Sequence, residues 1–199
     1  EYWTCTTLTP GSVRKNTASP LSSEIVVPIT QYKAAWSPNN WIGSNGSVYD
    51  FSRINTLGEW TDMGIGYAHN FTGNYWGVIN HDNEEGVFRL SDNLKTPGMK
   101  LWTWGKNSVN GNVMNFSNGA LFNYIELWAG ASSAFFTDAT LAANQTSSWK
   151  ESYTPTIGLT QITKMNSKFA ANLLYDAQSN SMRYQLNAFQ PNETYQMHF

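Results

Sequence analysis

The sequence predicts an all-β protein of antiparallel strands, a sandwich or a barrel. Three observations carry that expectation. Apolar residues at sustained helical spacing are hard to find. Short β-branched and aromatic runs recur instead. Between them lie turns rich in Asn, Gly and Pro, such as Ser37-Pro38-Asn39-Asn40 and the stretch from Asn107 to Asn112.

Taken in order, Glu1-Tyr2-Trp3-Thr4 reads as a strand already under way at the first residue. Glu24–Thr30 is a β-branched run, and Ser47–Phe51 and Gly58–Ala68 are further candidate strands between turn-rich stretches. Tyr75–His81 and Gly86–Ser91 flank the polar turn His81-Asp82-Asn83-Glu84, which is a hairpin signal. Met99–Trp104 follows the turn Thr96-Pro97-Gly98, and Asn123–Gly130 and Thr146–Thr154 come next. Phe169–Tyr175 and Met182–Phe189 are joined by a second hairpin signal at Ser179-Asn180-Ser181. Met165, Phe169 and Leu173 are four apart, so a helix over Thr163–Tyr175 is the alternative, ranked below the strand.

Tyr153-Thr154-Pro155-Thr156-Ile157-Gly158 marks a boundary that divides the chain into residues 1–159 and 160–199. The second piece is small for an independent β-domain, so it is expected either to pack on the first or to begin a further one. Residue 1 is Glu, and both termini read as interrupted strands, which predicts a piece of a larger chain.

Composition excludes several function classes. The formal net charge is −2, and only 13% of residues are charged. A nucleic-acid binder needs a clustered basic surface, so none is expected here. No apolar run reaches the length of a spanning helix, and no membrane role is expected. At 41% hydrophobic and 15% aromatic the chain can supply a core. Polarity is carried by 22 Asn, 19 Ser and 19 Thr, which suits an extracytoplasmic or secreted protein. The single Cys5 excludes an internal disulfide framework, and the histidines at 69, 81 and 198 are scattered. No metal site or cofactor is expected.

Two strands carry chemistry. In Asn123–Gly130, Ile125, Leu127 and Ala129 alternate with Tyr124, Glu126 and Trp128, which puts one acid between two aromatics on the same face. In Met99–Trp104 the same rule sets Met99 and Leu101 against Lys100, Trp102 and Trp104. Flat rings beside a few hydrogen-bonding groups suit a sugar, whose axial C–H groups stack while its hydroxyls bond carboxylate and ammonium. The competing reading is a structural module whose aromatics only pack. Asn80-His81-Asp82-Asn83-Glu84-Glu85 is the densest polar cluster. There His81 could bond a hydroxyl or act as an acid, with Asp82 or Glu84 setting its tautomer.

The run Gly86-Val87-Phe88-Arg89-Leu90, then Thr96-Pro97-Gly98-Met99-Lys100-Leu101-Trp102-Thr103-Trp104-Gly105, resembles the galactose mutarotases (aldose 1-epimerases). Tyr124-Ile125-Glu126-Leu127-Trp128-Ala129-Gly130 is similar to their catalytic glutamate strand. The resemblance is closest to an uncharacterised bacterial family of such domains, often followed by helical repeats. It implies a supersandwich of two large antiparallel sheets with a sugar cleft, incomplete at its N-terminal side. It also implies a mono- or oligosaccharide ligand and, in an enzyme, Glu126 as the base for ring opening. The enzymes' acid histidine would fall at or just before Glu1, and their substrate aspartate falls on Ala68. A working epimerase or glycoside-processing enzyme would therefore need His81 or His69 as the proton partner. The expectation is thus a carbohydrate-binding domain of a larger protein, with a sugar-active enzyme as the alternative.

Overall fold

The computed structural model describes residues 3–8, 23–28, 31–36, 48–50, 64–69, 71–103, 125–132, 138–196 and 198, with side chains for 24–28, 68, 71–102, 126–132, 138–196 and 198. The protein is all-β. Among the described residues there is no helix, hence none long and apolar enough to cross a membrane. The strands are β1 (Trp3–Leu8), β2 (Ser23–Val26), β3 (Gln31–Trp36), β4 (Val48–Asp50), β5 (Gly64–His69), β6 (Tyr75–Asn80) and β7 (Glu85–Leu90). There follow β8 (Gly98–Thr103), β9 (Ile125–Gly130), β10 (Ser152–Ile157), β11 (Lys164–Met165), β12 (Phe169–Asp176) and β13 (Ser181–Ala188). They form three antiparallel sheets, ordered β1-β9-β8-β5-β3-β4, β10-β7-β6-β2 and β11-β12-β13.

The hairpin β6–β7 is the centre of the second sheet. Its turn, residues 81–84, ends on Glu84 at φ 53°, a left-handed position that closes the reversal. Two glycines make room for Phe88. A Cβ on Gly77 would collide with the Val87 carbonyl and lie 2.7 Å from the Phe88 ring, and one on Gly86 would lie 2.9 Å from the same ring. Phe88 then packs with Tyr75 and Ile79 against Leu159, Met165 and Ala170, all buried. Residues 159–170 thus share a hydrophobic core with the hairpin.

Two expected elements differ. The strand expected at Thr146–Thr154 lies instead at Ser152–Ile157, and residues 138–151 carry no strand. The stretch read as a boundary is therefore itself a strand. It contains Pro155, tolerated because β10 has no ladder partner beyond it among the described residues and so stands at the sheet edge. The helix alternative at 163–175 does not form. Residues 169–176 pair with 181–188, and Leu173 and Tyr175 fall on one face as a strand demands.

That hairpin is inside out. Asn172, Gln185 and Asn187 face inward, and their amides bond Thr160, the Gly158 carbonyl and the Ile157 backbone. The outward row, Leu173, Tyr175, Met182, Tyr184 and Leu186, is exposed. Period-two alternation separates two faces but does not say which of them turns inward.

Candidate functional site

In the first sheet β8 and β9 pair so that Lys100 lies opposite Trp128 and Trp102 opposite Glu126. Directly opposed residues project to the same side. Met99, Leu101, Leu127 and Ala129 project to the other, each at most 1% exposed. The apolar and chemical faces read from the sequence are thus separated as expected for these residues.

The three groups at the centre form a chain of contacts. Lys100 is 1% exposed, and its ammonium lies 3.9 Å from the centroid of the Trp128 ring. A cation desolvated over an indole face gains about 2 kcal/mol. The Trp128 indole N–H donates to Glu126 Oε2 at 2.9 Å. That is a charge-assisted bond, and it fixes the ring edge along the strand. Lys100 is too deeply buried to meet a ligand itself; it holds Trp128. One face of that ring is covered by the ammonium, so a ligand can stack only on the other. Glu126, Trp128 and Trp102 are half-buried, neither sealed in the core nor fully exposed. Glu126 Oε1 makes no hydrogen bond among the described residues and is the acceptor that remains.

Of the other expected site residues, Tyr124 and Trp104 lie outside the described residues. His69 closes β5 opposite Gln31, two register positions beyond Tyr67, the partner of Lys100. Asp82 is exposed in the β6–β7 turn, its backbone N–H donating to Asn80 Oδ1.

His81 sits in that turn, on a different sheet from Glu126. Both its ring nitrogens are occupied, Nε2 by Glu24 Oε2 at 2.7 Å and Nδ1 by Glu84 Oε2 at 2.9 Å. Burial pulls its pKa down, but the hydrogen bonds and charges of Glu24 and Glu84 outweigh that and leave it raised. Of the two acids expected to orient the ring, Glu84 bonds it and Asp82 makes no hydrogen bond to it; Glu24, 57 residues away, joins Glu84. No spacing rule could have found Glu24, which reaches His81 only because β2 pairs with β6.

This clasp has a pH signature. A histidine whose folded pKa is raised stabilises fully below its unfolded value, about 6.5, and loses that contribution as pH rises through the folded value. In thermal unfolding, the native protein's advantage over His81→Gln should be largest below about pH 6.5, above the carboxylate range, and shrink at higher pH. An advantage that grows with pH would contradict the clasp.

A second cluster went unread in the sequence. Arg89, 1% exposed, donates through Nη2 to Glu151 Oε1 at 2.9 Å and to Thr96 Oγ1 at 3.2 Å, and its guanidinium lies 5.2 Å from the Trp76 ring centroid. Glu151 also accepts from Trp149 Nε1 and Tyr153 OH. Each oxygen is used by the protein itself, so the cluster fastens the segment before β10 to β7.

The chain matches no protein-family model and no curated protein. One solved structure is similar. It is a TPR-domain containing protein from Parabacteroides distasonis, 14% identical, with a TM-score of 0.52. The likeness covers 90% of this chain and 28% of that one, and at this identity it speaks to the fold alone.

Proposed function

We propose that this chain is a carbohydrate-binding domain of a larger bacterial protein, built on a mutarotase-like supersandwich. The observation that carries the reading is the Lys100–Trp128–Glu126 chain on one face of the first sheet. A half-buried indole with one face braced by an ammonium presents its other face to sugar C–H groups. The unbonded Glu126 Oε1 accepts from a sugar hydroxyl, and Trp102 flanks it across the strand pair. The likeness covering 28% of a TPR-domain protein accords with membership of a larger chain.

Binding is better supported than turnover. An epimerase needs an acid near its glutamate base, and His81 is held by two carboxylates on another sheet. The test is a tryptophan-fluorescence titration with neutral mono- and oligosaccharides. A saturable response is expected, weakened about tenfold in Trp128→Ala, the equivalent of about 1.4 kcal/mol. Equal anomer-exchange rates by NMR for native protein and Glu126→Gln would mark a binding domain. A rate lost in the variant would mark an enzyme. No response to any sugar would leave the structural module.

A further inference from the structure

A cleft of about 770 Å³ opens between the second sheet and the C-terminal one. It lies where Pro28, the 72–74 turn, the end of β7 and the start of β10 meet residues 163–167. Its size is within the range of small-molecule sites. We propose that this cleft binds an acidic saccharide, a sugar chain bearing carboxylates of the uronate type. The proposal is independent of the reading of β9.

Charge is the first argument. Lys150 and Lys164 both line the cleft, and no Asp or Glu lines it among the described residues. Lys168 nearby pairs with Glu193, whereas Lys150 and Lys164 make no ion pair or hydrogen bond among the described residues. In a chain of net charge −2, an acid-free hollow with two uncompensated ammoniums favours an anion.

The same hollow holds neutral donors with nothing to bond among the described residues. The Ser91 hydroxyl is buried without a partner among the described residues, and an unsatisfied buried hydroxyl is costly. The Ser152 and Ser167 hydroxyls also make no hydrogen bond among the described residues. Tyr75 contributes a phenol that burial pushes above its usual pKa and keeps neutral as a donor. The Asn166 carbonyl oxygen is consumed by the Lys168 and Phe169 backbone, which turns its amide to donation. Ammoniums flanking hydroxyl and amide donors match carboxylates set among sugar hydroxyls. Among the described residues the lining holds no arginine fork, the group best shaped for bidentate phosphate recognition.

The test is isothermal titration of the full chain with a trigalacturonate and with its neutral trisaccharide counterpart. Trigalacturonate should bind saturably, more weakly as salt rises, and about tenfold or more weakly in the Lys150→Gln/Lys164→Gln double variant. Both lysines are exposed, so the variant should fold, and its circular dichroism and neutral-sugar titration should match the native protein. Ser91→Ala should weaken uronate binding by a smaller factor. Undiminished trigalacturonate binding in the double variant overturns the proposal, as does absence of binding at millimolar ligand. Equal displacement by inorganic phosphate at the same concentration would show a general anion spot and overturn the saccharide assignment.

Discussion

Replacing Glu151 by Ala is expected to cost about 3–5 kcal/mol of stability, the range for leaving a buried charge unpaired. Arg89 is 1% exposed, and Glu151 is its only carboxylate partner among the described residues. Thr96 gives one further neutral bond, and Arg89 Nε already has none among the described residues. Removing the carboxylate strands a guanidinium that is 1% exposed beside the Trp76 ring. Glu151→Gln should lose less, because an amide oxygen still accepts. Replacing both partners with apolar residues of similar size should recover much of the loss, since desolvation is then no longer required. Urea unfolding of the four proteins measures this. A cost for Glu151→Ala under about 1 kcal/mol, the level of a surface pair, would mean that Arg89 is hydrated in solution.

Phe88→Ala should be comparably damaging, about 3–5 kcal/mol, by emptying the centre of a packed core. The ring is fully buried among Tyr75, Ile79, Leu159, Met165 and Ala170. The loss should also be directional. Because Phe88 joins the β6–β7 hairpin to the C-terminal sheet, that sheet should open first. Amide exchange at Ala170 and Met165 should speed up more than exchange within β6. Uniform acceleration through both sheets would show that the C-terminal strands do not rely on this contact.

The legible parts of the sequence were local. Alternation assigned Leu127 and Ala129 to the buried face of β9, and the polar turn at 81–84 announced the β6–β7 hairpin. Relations between distant residues were not legible. Glu24 meets His81 across 57 residues and Arg89 meets Glu151 across 62, through strand pairings that no local spacing encodes. The stretch Tyr153–Gly158 reads as a boundary in the sequence, whereas the strand it forms depends on pairing with β7, and Pro155 is acceptable there because β10 stands at the edge among the described strands. The inverted β12–β13 hairpin escaped for another reason. Its inward amides are satisfied by residues 157–160, which the alternation rule does not see. Lys100 was legible as a member of the chemical face but not as the brace beneath Trp128, since its burial depends on the strand beside it.

Indole N–H resonances in a ¹⁵N-labelled sample test the sugar reading most directly. Trp128 donates to Glu126 on the proposed surface, and Trp102 is its neighbour, whereas Trp76 and Trp149 belong to the Arg89 cluster. Titration with a neutral oligosaccharide should move the Trp128 and Trp102 signals and leave those of Trp76 and Trp149 in place, with the response weakened in Glu126→Ala, which leaves no acceptor at that position. Movement confined to Trp76 and Trp149, or a Trp128 signal that never shifts while sugar binds, would contradict it.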